Sequence, residues 1–112
     1  MVALPLPKAM NIQKLPIKID REKIAEFCRA KGIRKLSLFG SVLHDDFDPD
    51  RSDVDVLAEF KPGALQGVGW RYATYGPELS EILGWPVDFC SRLSPYIEEQ
   101  VKKEALTIYE QT

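Results

Sequence analysis

"LFGSVLHDDFDPDRSDVDVLAEF", residues 38–60, decides how this chain folds. It carries seven acids against one Arg, and composition makes most of it a solvated loop. Asp53 and Asp55 resist that reading. They open a run, SDVDVLAEF, that otherwise alternates like a buried strand. Val54, Val56, Ala58 and Phe60 fall on one face, and Asp53, Asp55, Leu57 and Glu59 on the other. Two carboxylates side by side on a core strand repel each other and lose hydration, so they call for a counter-charge.

Elements place themselves outward from this strand. Upstream, Asp20 is positioned as an N-cap, and REKIAEFCRAK sets Ile24, Phe27, Cys28 and Ala30 on roughly one face before Gly32, so a helix spans 21–31. IRKLSLF alternates Leu36 and Leu38 against Lys35 and Ser37, which predicts a strand. Gly40-Ser41 interrupts it, and a short helical turn is expected around 41–46. Downstream, KPGALQGVG is a loop, and residues 69–83 are helical by content, with a break or kink expected at Gly76-Pro77. WPVDFCS reads as a third strand, with Val87 and Phe89 opposed to Asp88 and Cys90. Ser94-Pro95 starts a last helix, whose stripe of Ile97, Val101 and Ala105 is expected to face inward. LTIYE closes as a short strand or an extended tail. Residues 1–16, with Pro5, Pro7 and Pro16, are expected to form an extended arm, leaving 17–112 as one domain. The pattern is α/β, with three or four strands and three or four helices.

The whole chain narrows the function classes. Its 112 residues suit one small core, and 45% apolar with 29% charged residues is ordinary for a soluble domain. A net charge of −2 gives no general pull toward nucleic acid or an anionic membrane, so neither is expected as a direct partner. No apolar run reaches membrane-spanning length, and the first ten residues lack the basic and apolar regions of a signal peptide. Cys28 and Cys90 both lie in apolar stretches and are expected as buried, reduced thiols, which suits the cytoplasm.

The chemistry gathers at three carboxylates. Asp53 and Asp55 project together, and Asp88 begins the third strand in a similar way. If those strands are neighbours, the three converge, and a hard divalent cation supplies the missing charge. Mg²⁺, which prefers few carboxylates, several waters and a substrate phosphate, matches best. Gly40 lets the backbone approach a ligand, while Ser41 adds a hydroxyl and the start of the turn adds N–H groups, which together suit a phosphate. A phosphate site beside such carboxylates suggests nucleotidyl transfer, with two ions clamping an in-line displacement. A Ca²⁺ loop starting at Asp46 fails, because Arg51 and Leu57 stand where Gly and Glu are required. His44, the only histidine, lies within reach of the GS turn, but a surface role explains it more simply. Trp70, Tyr72 and Tyr75 could stack on a base or meet a partner, and ordinary packing explains them equally well.

GS-x11-DVD (Gly40, Ser41, Asp53, Asp55) followed by a strand bearing Asp88 resembles the DNA polymerase β-like nucleotidyltransferase superfamily, and within it the minimal nucleotidyltransferase (MNT) group. The likeness runs from about residue 18 to the end, through LFGSVLHDDF, SDVDVLAEF, VDFCS and SPYIEEQVKKEALTIYE. It implies a small mixed sheet flanked by helices, Mg²⁺ dependence and ATP as nucleotide donor. By the same carry-over, Asp53 and Asp55 hold both metals, Asp88 completes one metal site and helps activate the acceptor hydroxyl, and Gly40 and Ser41 hold the triphosphate. Many relatives carry an Arg shortly after GS, where this chain has VLHDDF. Members of the group are often antitoxins of HEPN-domain toxins, and some transfer AMP from ATP to a toxin tyrosine. A hetero-oligomer with a HEPN-type toxin is therefore expected. A chain this small has little left to build an acceptor pocket, which fits modification of a bound protein. A catalytically weak antitoxin that neutralises its partner by occlusion is the alternative.

Overall fold

The computed structural model describes residues 17, 19–43 and 53–111. The arm expected over 1–16, His44 and the loop acids Asp45, Asp46, Asp48 and Asp50 lie outside the described residues, as does the far part of the turn expected over 41–46.

Helix α1 (Arg21–Lys31) is bounded as its sequence predicts. The Asp20 carboxylate accepts the Lys23 N–H, and Gly32 leaves the helix at φ 74°, its N–H turned back to the carbonyls of Arg29 and Cys28. Four strands follow in chain order: β1 (Ile33–Phe39), β2 (Val54–Phe60), β3 (Val87–Cys90) and β4 (Leu106–Glu110). They lie side by side as β3-β2-β1-β4. β1 pairs antiparallel with β2 and β4, whereas β2 and β3 run parallel, so the sheet is mixed. LTIYE is thus a strand and not a tail, held to the free edge of β1 with Leu106 and Ile108 buried.

The parallel β2–β3 pair requires a crossover, supplied by a 3-10 turn (Gly69–Thr74) and helix α2 (Tyr75–Leu83). Gly76-Pro77 does not break α2. The helix begins just before the pair, so Pro77 sits in the first turn, where its missing N–H would have had no intrahelical partner. The 3-10 geometry upstream is where the run changes character.

Helices α1 and α2 cover one face of the sheet. Leu36, Leu38, Val54, Val56 and Ala58 are fully buried there with Ile24 and Leu79. Beside them Phe27, Phe60, Tyr72, Tyr75 and Phe89 form one aromatic cluster, with edge and tilted contacts such as Tyr72–Tyr75 at 5.5 Å. Tyr72 and Tyr75 are therefore packing residues, and the Tyr72 hydroxyl is satisfied by Ser91 Oγ at 2.7 Å.

Helix α3 (Pro95–Glu104) lies toward the other face, where Lys102 and Ala105 share a small cleft with Lys35, Ser37, Leu57 and Thr107. Its expected inward stripe is not buried. No residue of α3 is buried, and Ile97 is 47% exposed. Among the described residues no helix is long and apolar enough to cross a membrane.

Candidate active site

The acidic face is assembled where β1 ends and β2 and β3 begin. β1 runs out at Phe39 into a 3-10 turn, Gly40–Leu43, anchored by the buried side chains of Val42 and Leu43. β2 returns antiparallel, with Asp55 opposite Phe39. On its other side β2 pairs with β3, and Asp55 stands in register with Asp88. The Val54 N–H donates to the Pro86 carbonyl at 2.8 Å, which ties the starts of the two strands together. Paired strands lie about 4.8 Å apart, and parallel register keeps partners on one face, so Asp55 and Asp88 are direct neighbours. Asp53 precedes them by one alternation of the pleat. The expected adjacency of the second and third strands is thus met.

Electrostatics follow from this placement. Asp55 is half-buried, while Asp53 and Asp88 are exposed. Burial pushes the Asp55 carboxyl above its usual range, and the charges of Asp88 and Asp53 push it further. The same face holds Cys90, two residues beyond Asp88. Its thiol is raised by burial first, then by Asp88 and Asp55. Cys90 is only half-buried, against the expectation of a core thiol, because it lies on the face that α3 leaves open. Its place beside the carboxylates was open to view in the i, i+2 relation to Asp88. Cys28, by contrast, is buried among core side chains and pushed up to about 12, which makes it inert.

Gly40 has two reasons to be glycine. Its φ is 78°, in the left-handed region, and a β-carbon on it would collide with the Asp55 carboxylate. The backbone of the turn therefore presses directly on the acidic face, and Ser41 follows within the same turn.

Among the described residues no three His, Cys, Asp or Glu side chains are gathered into a set that could hold a metal ion. The donor chemistry nonetheless fits a hard divalent cation. The candidates Asp53, Asp55 and Asp88 offer only carboxylate oxygens, their mutual repulsion is what added positive charge relieves, and the lack of a side chain at Gly40 is what lets the turn's backbone pack directly on the Asp55 carboxylate.

Comparison with known proteins agrees with this architecture. No curated protein matches the chain. A protein solved as a candidate minimal nucleotidyltransferase is 32% identical, covers 77% of this chain and 86% of its own, and superposes with a TM-score of 0.60. A toxin–antitoxin crystal structure with AMP-PNP shares the fold at 19% identity and TM-score 0.62, covering 84% of this chain and 76% of the other. A mutant of the toxin–antitoxin MntA-HpeT does so at 17% identity and TM-score 0.58, covering 84% and 75%. The sequence profile of the nucleotidyltransferase domain family matches residues 21–110, a span that includes Gly40, Asp53, Asp55 and Asp88, and this chain belongs to that family.

Proposed function

We propose that this protein is a Mg²⁺-dependent nucleotidyltransferase that moves AMP from ATP to a hydroxyl on a protein partner, a HEPN-type toxin, and so acts as its antitoxin. The observation that carries the reading is the register of Asp55 against Asp88, with Gly40 pressed onto Asp55. Toxin–antitoxin pairs among the fold neighbours, one of them with AMP-PNP, support the partner class and the donor.

Asp53, Asp55 and Asp88 would hold Mg²⁺, which when bound offsets the charge of the triphosphate and the pyrophosphate leaving group. In the transfer the acceptor oxygen bonds to the α-phosphorus, the bond to the bridging oxygen breaks, and pyrophosphate departs. The chain's own residues orient and handle protons. The turn at Gly40 and Ser41 brings backbone against the phosphates. Asp88, exposed at the mouth of the face, takes up the acceptor's proton. Burial, then the charges of Asp88 and Asp53, raise the Asp55 carboxyl, so its charge is the one on this face that a bound cation would stabilise most.

The test is transfer of label from ATP to the co-purified partner. Wild type should label it, and Asp53→Asn or Asp55→Asn should lower the rate by about 1,000-fold or more, in line with losing preorganised charge stabilisation. Label transfer by the variants equal to wild type would sink the reading. The occlusion alternative is favoured by one observation: the three carboxylates are not gathered as a ready metal set. On that reading Asp55→Asn still neutralises the partner at equal dose.

A further inference from the structure

A second cleft lies at the other end of the sheet. It is bounded by the close of α1, the loop after β2 and the start of α2, with a volume near 610 Å³. β1 spans seven residues between Gly32 in this cleft and Gly40 at the acidic face, which separates the two by about 25 Å. Charged groups in its lining are Arg29, Lys31, Arg71 and Glu78. Lys31 Nζ meets Glu78 Oε1 at 2.9 Å, so those two cancel. Among the described residues no carboxylate pairs with Arg29 or Arg71. The Arg71 guanidinium donates to the carbonyls of Val68 and Gly67, which aim it without neutralising it. A chain of net charge −2 thus keeps two such arginines in one cleft. Trp70 lines the same cleft and is 80% exposed, so its indole offers an aromatic face to solvent.

We infer that this cleft is a binding site for a phosphorylated aromatic small molecule of nucleoside monophosphate size, its ring stacked on Trp70 and its phosphate on Arg29 and Arg71. The volume falls within the range of small-ligand sites. Indole stacking with an arginine-bound phosphate is the usual chemistry for holding a nucleotide without reading its sequence. A cleft of about 610 Å³ has room for a single nucleotide and not for several successive ones, which favours a mononucleotide over a long polyanion. An acidic peptide would satisfy the arginines but leave the indole bare.

The test uses the full chain labelled with ¹⁵N, in EDTA, titrated with AMP. The Trp70 indole N–H resonance should move and that of Trp85 should not. Adenosine and ribose 5-phosphate should each bind more weakly than AMP, and Arg29→Glu should weaken AMP binding about tenfold or more. Raised salt should weaken it too. The inference is overturned if Trp70 does not respond, if Arg29→Glu leaves the response unchanged, or if an oligoadenylate or a hexaglutamate peptide binds better than AMP. It is also overturned if Asp55→Asn removes the response, because AMP would then be binding at the acidic face. The measurement involves neither metal nor transfer, so its failure leaves the label-transfer test of the acidic face untouched.

Discussion

Gly40 and Asp55 are packed backbone against carboxylate: a β-carbon on Gly40 would collide with Asp55 Oδ2, and the residue's φ of 78° is itself a glycine conformation. Gly40→Ala therefore combines backbone strain with a displaced Asp55. Gly84 isolates the first effect. It caps α2 at φ 77°, and a β-carbon there would meet nothing within 4 Å. Gly84→Ala should lower stability by about 1 kcal/mol and leave activity intact. Gly40→Ala should cost at least as much stability and also lower nucleotidyl transfer by about 100-fold or more, since sub-ångström positioning of the carboxylate is lost. Thermal melts and transfer rates on the two variants separate the effects. Equal activity in both would show that the contact with Asp55 has no functional role.

Asp55 gives a prediction in pH. Its carboxyl is raised above the ordinary 3.8 by burial, then by Asp88 and Asp53, so the folded chain holds that proton more tightly than the unfolded chain does. The associated stability is complete below the ordinary Asp value and is lost as pH rises through the raised one. Asp55→Asn removes that loss. The variant should melt at the same temperature as wild type in acid and at a higher temperature at neutral pH, with the gap opening above 3.8. Added Mg²⁺ should raise the melting temperature of wild type at neutral pH and leave that of Asp55→Asn nearly unchanged. Melting curves across pH, with and without Mg²⁺, check both statements.

Much of this arrangement can be read from residue order. Asp20 and Gly32 mark the ends of α1 because caps depend on local chemistry. The alternation of Val54, Val56 and Ala58 fixes which face of β2 is core, and that places Asp53 and Asp55 on the other. What is not legible depends on contacts distant in sequence. The pairing of Asp55 with Asp88 needs the parallel β2–β3 crossover, and the closeness of Gly40 to Asp55 needs the antiparallel return of β2. LTIYE stays open between strand and tail in the sequence, because only the vacant edge of β1 decides it. The stripe of Ile97, Val101 and Ala105 misleads for a related reason: apolar spacing names the greasy face of a helix without saying whether anything covers it. Apolar neighbours in sequence argue for Cys90 in the core, although the alternation that exposes Asp88 also puts Cys90 on the open face.

Lys31 and Glu78 should show the opposite pH behaviour to Asp55. Lys31 Nζ lies 2.9 Å from Glu78 Oε1 and 4.9 Å from the centre of the Tyr75 ring, joining α1 to α2. The hydrogen bond from Lys31 holds the Glu78 carboxyl below its ordinary 4.5, helped by Thr74. The stability that comes with a depressed carboxyl is present above the ordinary value and lost as pH falls through the depressed one. Glu78→Gln should therefore lower the melting temperature slightly at neutral pH and not at all in strong acid. Lys31→Ala removes the contact with the aromatic rings as well, and should cost about 1–2 kcal/mol at neutral pH. Chemical denaturation at two pH values distinguishes the two variants.

Helix α3 gives the sharpest contrast between apolar spacing and burial. Ile97 is 47% exposed and lines a shallow groove with Phe39, Gly40 and Val101, whereas Leu79 of α2 is completely buried in the core. The two side chains differ little in size, so any difference in their truncation costs reports what surrounds them. Leu79→Ala should destabilise the chain by about 2–5 kcal/mol, because it opens a cavity among side chains that cannot close over it. Ile97→Ala should change stability by no more than about 0.5 kcal/mol, because water already reaches that side chain. A loss of more than about 1.5 kcal/mol at Ile97 would mean that α3 is covered in solution, since an exposed position has no such energy to lose. Denaturation of the chain alone, then repeated with the proposed partner bound, would tell whether that cover is supplied by such a partner: Ile97→Ala should then weaken the complex while leaving the free chain as stable as before.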